Sequence, residues 1–463
     1  MTRLAPLIGL IGLLLAGGCA VGPTYRAPAE APAVLAAAAP ADLTAAPPAA
    51  DWWRAFPDPE LDSLIRRALA ANLDVRQAVA RVDQARALFH GAGLDLLPHV
   101  TSEAGYSRSD QQAPGFGPQR LDIEQADLGF DAAWEIDLFG RIRHEVEAAR
   151  AESDAAGADL ANVQVSVAAE VARNYLELRG AQARRAVAER NAQTERETLR
   201  LTTIRVEAGY GDPVDAQSAT ARLKATEASI PPLRTEEMQA GYRLAVLLGE
   251  RPGGLDGEFA ALPPQAARAA ALPLGDVSDL LRRRPDVRAA ERRLAAETAR
   301  TGAATADLFP RVRITGFVGL LSGNVGDLFS KGAKAWSVSP TVTWPAFDIG
   351  GARARLRAQQ AKGEESLAAY RQTALRAIED LDDAVAAYGQ RQQQVARLAE
   401  QVDAARRAEE LAGIRYREGG IDFLRVLDAD RARLEAEDSL TQAQTAANTD
   451  VVAIYKALGG GWS

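Results

Sequence analysis

The chain has 463 residues, 6% of them aromatic and 25% charged, with 54 Lys and Arg against 62 Asp and Glu for a net charge of -8. So thin a supply of aromatic side chains does not fill several globular cores, whereas long helices packed side by side make good use of this composition. Acidic residues are interspersed throughout and no Lys/Arg-rich tract accumulates, which excludes a nucleic-acid partner.

The N-terminus reads as a targeting segment. Arg3, an apolar run from Leu7 to Leu15 and the small residues of LLLAGGCA make a secretory signal, too short to span a bilayer. Small residues before the single cysteine, Cys19, resemble a bacterial lipoprotein signal, in which residues 1–18 are removed and Cys19 becomes the lipidated N-terminus. Ala16 stands where such signals usually carry leucine, and an ordinary signal peptide is the alternative. Ala20 after the cysteine permits outer-membrane sorting. With one cysteine, disulfides and a thiol nucleophile drop out of consideration. Residues 19–50 are dominated by Ala and Pro and read as an extended tether.

Beyond the tether, Leu61, Leu64, Ile65, Ala68, Leu69, Val75, Val79 and Val82 recur at helical spacing, which predicts one helix of about 30 residues ending before Pro98. The chain then repeats itself. NLDVR (72–76) recurs as RPDVR (284–288) and DLLPHV (95–100) as DLFPRV (307–312), both displaced by 212 positions. IRVEAGYGDPVDAQSA (204–219) aligns with IRYREGGIDFLRVLDA (414–429), and LLG (247–249) with ALG (457–459), displaced by 210. Ordered matches at a nearly constant offset mark a duplication: residues 51–250 and 276–460, joined by a Gly/Pro-rich linker, 251–275.

Each repeat carries a helix, two strands, a very long helix, a break and a second long helix. No proline interrupts Arg141 to Glu207, about 100 Å of helix at 1.5 Å per residue, and Ala352 to Arg417 behaves alike. The breaks EAGYGDP and REGG turn the chain back, so the returning helices, 213–249 and 421–458, lie beside the outgoing ones. Four strands are expected at about 99–108, 126–138, 311–321 and 335–347. Leu128, Phe130, Ala132, Trp134 and Ile136 share one face opposite Asp127, Asp131, Glu135 and Asp137, and Trp336, Val338, Pro340, Val342 and Trp344 alternate with Ser and Thr.

Each run is about ten residues, the length a tilted strand needs to cross a bilayer. Trp336 and Trp344 are about 26 Å apart along a strand, which makes them, with Trp134, candidate membrane-interface aromatics. A soluble sheet shows the same alternation, but the secretion signal, the charged polar faces and the lack of any apolar segment to cover the sheet favour the membrane. Four strands cannot close a barrel, for which about eight is the practical minimum, so several chains must assemble.

The duplicated plan and the motifs WWRAFPDPELDSLI, WEIDLFGRIR, DLFPRV, RYREGGIDFLRVLDADR and YKALGGGW closely resemble the TolC-like outer-membrane efflux proteins, in their lipoprotein (NodT-type) branch. The resemblance implies a mainly α chain with membrane β: a duplicated helix, β-hairpin and long helical hairpin. Three copies would form a 12-stranded β-barrel in the outer membrane, continued by a 12-helix α-barrel across the periplasm. It also implies partners: a periplasmic adaptor and an inner-membrane pump, typically of the resistance-nodulation-division class. The function implied is a passive duct exporting drugs or other small molecules from a Gram-negative cell. A lipid-anchored periplasmic scaffold without a pore, or a type I secretion duct, are the alternatives.

Nothing in the sequence builds a catalytic, metal or cofactor site. His90, His99 and His144 have no metal-ligand spacing, and the glycines form neither a phosphate loop nor a GxSxG elbow. His99 and His144 flank strand ends and read as solvated interfacial residues. In DLFGR, Gly140 permits a bend and Asp137 favours the dipole of the following helix. At the tip of the second hairpin, Leu424, Asp428 and Arg431 fall at i, i+4 and i+7 on one helix face. Their counterparts Val214, Ser218 and Ala221 carry no charge. Residues matching this motif form the periplasmic gate in relatives, so the face is the candidate gate. Three copies of Asp428 converging on one axis need a cation, Arg431 or an arginine of an adjacent helix. Asp212 and Asp215 at the other tip are candidates for an acidic ring at the mouth.

Overall fold

A computed structural model of the chain describes residues 20–28, 36, 43–44, 46, 49–112, 120–260, 272–273 and 280–460. The expected signal peptide, Cys19 and most of the tether and linker lie outside these residues. Seven helices and four strands carry the plan: α1 (Pro59–Ala71), α2 (Leu73–Leu94), β1 (His99–Gln112), β2 (Arg120–Ile136), α3 (Arg141–Glu207), α4 (Pro213–Leu247), α5 (Pro285–Ala306), β3 (Arg311–Ser322), β4 (Lys334–Thr343), α6 (Ile349–Arg417) and α7 (Phe423–Ala457). Two-residue strands, Leu43–Thr44 and Leu272–Pro273, pair in parallel. Two compact units result, and they cut across the duplication. One takes the described residues of 1–29, 81–157 and 289–372, the other those of 30–80, 158–288 and 373–463.

The first unit is built on one antiparallel sheet in the order β1-β2-β3-β4. Its hairpin β1–β2 is longer than expected, running to Gln112 and starting again at Arg120. Cross-strand ion pairs explain the extra rungs: Arg108 to Asp122 at 2.5 Å and Arg120 to Asp110 at 2.9 Å. The last strand stops at Thr343, short of the 347 expected. Pro345 has no N–H to donate and ends the ladder there.

The second unit is held by one buried cluster of aromatic and aliphatic side chains. Trp52, Trp53, Tyr175, Tyr388 and Tyr455 join Leu61, Leu64, Ile65, Leu176, Leu244, Leu381 and Val451 in one buried cluster. Trp52 stacks on Tyr455 with ring centres 5.0 Å apart, and the Tyr175 hydroxyl donates to Asp58 at 2.7 Å. One cluster of large side chains thus anchors helices whose remaining contacts are largely alanine.

The turns at the hairpin tips are the same in both repeats. Tyr210 N–H donates to Arg205 O and Gly209 N–H to Val206 O; Gly420 N–H donates to Arg415 O and Gly419 N–H to Tyr416 O. This double bond pattern closes a helix through a left-handed residue, here Gly209 at φ 78 and Gly419 at φ 73. Asp212 and Asp422 then cap the returning helices, accepting from Val214 N–H at 2.8 Å and Arg425 N–H at 3.0 Å.

The single N-terminal helix expected from the apolar spacing is two. Asn72, at φ -60 and ψ 134, breaks it between α1 and α2. Its Oδ1 accepts from the N–H of Asp74 and Val75, at 2.8 and 3.1 Å, and its Nδ2 donates to the Leu247 carbonyl at 2.8 Å. Apolar periodicity runs through such a break undisturbed, because Asn72 costs only one helical position while recruiting a carbonyl from α4. Arg284 does the corresponding work in repeat two, donating to Ala457 O at 3.0 Å while pairing with Asp286 and Asp380. Asn72→Ala should therefore destabilise the purified protein by about 1 to 3 kcal/mol, losing both cap and tertiary bond. Asn72→Asp, which keeps the cap but not the donor, should fall between; chemical unfolding midpoints would measure both.

Candidate functional site

The sheet is apolar on one side, rung by rung. Val100, Ala132, Gly316 and Val338 face one another across the four strands, as do Ser102, Phe130, Val318 and Trp336, then Trp134, Ile314 and Pro340, and Ile136, Val312 and Val342. On the other side the rungs read Thr101, Asp131, Phe317 and Ser337, then Glu135, Arg313 and Thr341. Among the described residues no layer covers the apolar side: Val318 is 59% exposed, Val338 62% and Trp336 78%. A continuous exposed face of this kind requires lipid or protein against it. The outer edges of β1 and β4 are equally open, and among the described residues no helix is long and apolar enough to cross a membrane.

One residue breaks the pattern. Phe317, on the polar side, lies over Gly129 and Gly319, where a Cβ would stand 2.5 and 2.8 Å from its ring. The two glycines pair directly across β2 and β3. Sequence alternation missed this because neither glycine has a face of its own; a Gly–Gly rung beside an aromatic was the available signal.

The three candidate interface tryptophans behave differently. Trp134 Nε1 donates to Leu96 O at 3.0 Å and Trp344 Nε1 to Leu308 O at 3.1 Å, so the same bond ties a strand end to the turn after a helix in each repeat. Trp336 stands exposed at the opposite end of β4. At the β2–α3 junction, Asp137 accepts from the Arg143 N–H at 2.9 Å and its Nε at 3.1 Å, and Arg141 pairs with Glu135 at 2.8 Å. Phe139 stacks on Phe309 at 4.8 Å. His99 is exposed as expected. His144 is not: only 7% of it reaches solvent, because chain from outside its repeat packs over it.

At the second tip, Leu424, Asp428 and Arg431 lie exposed along α7. Within the chain Arg431 pairs not with Asp428 but with Glu435, one turn on, at 2.7 Å. The i, i+4 spacing lets an extended guanidinium reach Glu435 without bending back. Asp428 makes no hydrogen bond or ion pair among the described residues. At the first tip Asp212 is committed to its cap, and burial, together with the Asp212 charge, raises the carboxyl of Asp215 above its ordinary range.

Behind the candidate gate face runs a half-buried chain of alternating charge across four helices. Arg222 lies 3.1 Å from Glu195 and 3.8 Å from Asp430, Asp430 pairs with Arg433 at 2.8 Å, and Glu437 takes both Arg433, at 3.1 Å, and Arg406, at 2.8 Å. Burial pushes the carboxyl of Glu195 upward, while Arg222 and the Thr226 hydroxyl offset part of that. No spacing in the sequence announces this network, since its members come from α3, α4, α6 and α7.

Known proteins share this plan. Residues 64–250 and 277–460 match the model of the outer membrane efflux protein family. The chain is 32% identical to outer membrane protein OprJ of Pseudomonas aeruginosa, over 99% of this chain and 96% of OprJ. It is 31% identical to nodulation protein T of Rhizobium leguminosarum bv. trifolii, over 93% and 92%. Against the solved structure of the outer-membrane channel OprN the TM-score is 0.91, with 46% identity over 96% of this chain and 100% of that one. Two matched halves over one open, lipid-ready sheet give the conclusion: the chain belongs to the outer membrane efflux protein family, in its TolC-like form.

Proposed function

We infer that the chain is the outer-membrane duct of a tripartite efflux system, a passive conduit rather than an enzyme, working with a periplasmic adaptor and an inner-membrane pump. The carrying observation is the sheet with one apolar face and both edges open. Three copies, each adding four strands, close a barrel of twelve and leave no edge in lipid. Exposed Leu88 (65%) and Leu94 (59%) on α2, the helix feeding the edge strand β1, supply apolar surface for the neighbouring copy. A pump of the resistance-nodulation-division class fits the family reading. Relatives named for solvent efflux, antibiotic efflux and pyoverdine export share the plan, which supports assigning choice of cargo to the pump.

Cys19 is the proposed lipid anchor. Cys19→Ser should abolish palmitate labelling while the barrel persists, because twelve strands bury far more apolar surface than acyl chains do; an unlabelled wild-type protein refutes the anchor.

The faces of β4 make opposite demands. Val338→Arg or Val342→Arg should cost about 2 to 4 kcal/mol if these positions lie near the bilayer midplane, whereas Ser339→Arg or Thr341→Arg should mainly change conductance. Equal loss of assembled protein from both faces counts against a lipid-facing barrel.

The proposed gate is the face of Leu424, Asp428 and Arg431, with the cation for Asp428 coming from a neighbouring copy, since Arg431 is engaged by Glu435 in its own chain. Asp428→Ala with Arg431→Ala should raise single-channel conductance in planar bilayers and sensitise cells to large antibiotics, at unchanged assembly. Purified wild-type protein that never gives discrete current steps sinks the duct reading itself. A conducting wild type with an indifferent double variant sinks only the gate.

A further inference from the structure

His144 sits where no part of the duct needs a histidine. Its Nε2 lies 3.0 Å from the carbonyl oxygen of Val21. A carbonyl only accepts, so Nε2 carries the proton and donates it. The Val21 N–H in turn donates to Phe139 O at 3.1 Å. Both backbone groups of one N-terminal residue are thereby taken by the β2–α3 junction.

Three glycines let the segment come so close. A Cβ on Gly22, at φ 118, would stand 2.7 Å from the Gly302 Cα, and one on Gly302 would stand 2.7 Å from His144 Nε2. At Gly140, φ 85, a Cβ would meet that of Ala20 at 2.8 Å. At Gly22 the approach is to backbone, and Gly22 and Gly140 both have the positive φ that favours glycine; at Gly302 a Cβ would press on the His144 ring itself. Further along, the Tyr25 hydroxyl donates to Glu291, and the Arg292 guanidinium lies 5.8 Å from the centre of the Tyr25 ring.

Among the described residues the seat exists once. At an offset of 210, Gly140 and His144 correspond to Gly350 and Ala354, both inside α6. A chain with two repeats has one N-terminus, and only the first repeat is shaped to hold it.

We propose that Ala20–Tyr25 is a strap docked in a dedicated seat, which fixes where the mature N-terminus leaves the protein and braces repeat one against repeat two. Phe139, Gly140 and His144 are the repeat-one side of the seat; Glu291, Arg292 and Gly302 are the repeat-two side. His144 is a positioning residue for the strap. These contacts all lie at Ala20 or beyond, and the seat as proposed holds the strap independently of acylation at Cys19.

Hydrogen exchange of the purified full-length protein, followed by mass spectrometry on peptides covering residues 20–28, tests the seat. Wild-type strap amides should exchange at least about tenfold more slowly than a free peptide of the same sequence. His144→Leu, which removes the donor, and Gly302→Leu, which fills the seat, should each erase that protection while peptides from β2 and β3 keep theirs. His144→Gln, which still presents an N–H toward Val21 O, should retain most of it. Cys19→Ser should change nothing in the strap; lost protection there would mean that lipid, not the seat, holds the segment. Wild-type amides exchanging like free peptide, or full protection in both leucine variants, would overturn the proposal. Tyr25→Phe, which deletes only the hydroxyl bond to Glu291, gives a partial loss and serves should a leucine variant fail to fold.

Discussion

Hydrocarbon cannot hydrogen-bond, and that constraint governs this molecule. An edge strand facing lipid leaves N–H and C=O groups unsatisfied at several kcal/mol each, and this chain presents two such edges, β1 and β4. Four strands curl too little to meet each other, so the edges are satisfied by copies of the same chain. The register then matters more than the strands' composition. A one-residue slip between β2 and β3 would move Asp131 and Glu135 to the lipid side and Phe130 and Trp134 to the wet side. The cross-strand ion pairs of the β1–β2 extension pin the register within that hairpin, and the two tryptophan-to-carbonyl bonds tie the ends of β2 and β4 to the turns that lead into β1 and β3.

Duplication shows which features belong to the backbone's task and which to the neighbourhood. Gly209 and Gly419 close the outgoing helices alike, Asp212 and Asp422 start the returning ones alike, and Trp134 and Trp344 tie strand to turn alike. Those jobs depend on dihedral angles and local donors, which are equal in the two repeats. Where the surroundings differ, the residues diverge. Asn72 and Arg284 satisfy corresponding carbonyls with different chemistry, because Arg284 also meets Asp286 and Asp380.

Two kinds of interior coexist. The aromatic cluster around Trp52, Tyr175 and Tyr455 gives its stability through buried area. The Glu195–Arg222–Asp430–Arg433 chain is different in kind: desolvated ion pairs add little net stability, but removing one member leaves a buried charge, so they fix relative position.

The sequence by itself determined what repeats and periods can carry: the duplication, the long helices, four strands with an apolar face, and the family. These follow from local rules, in which spacing along the chain maps directly onto a face or a turn. Boundaries yielded only partly. Asn72 broke a helix that its apolar neighbours continue, and Arg108, Asp110, Arg120 and Asp122 lengthened a hairpin through side chains outside the alternation. What only the tertiary structure decided are the meetings of residues far apart in the chain. His144 reads in sequence as a solvated histidine but carries Val21 on its Nε2; Arg431, one of the cations expected for Asp428, meets Glu435 within its own chain; and the Glu195 network exists only where four helices come together. Periodicity reports which side of an element is apolar; it carries no information about which distant backbone carbonyl or carboxylate will arrive at that side, and hydrogen bonds and ion pairs are decided by that arrival.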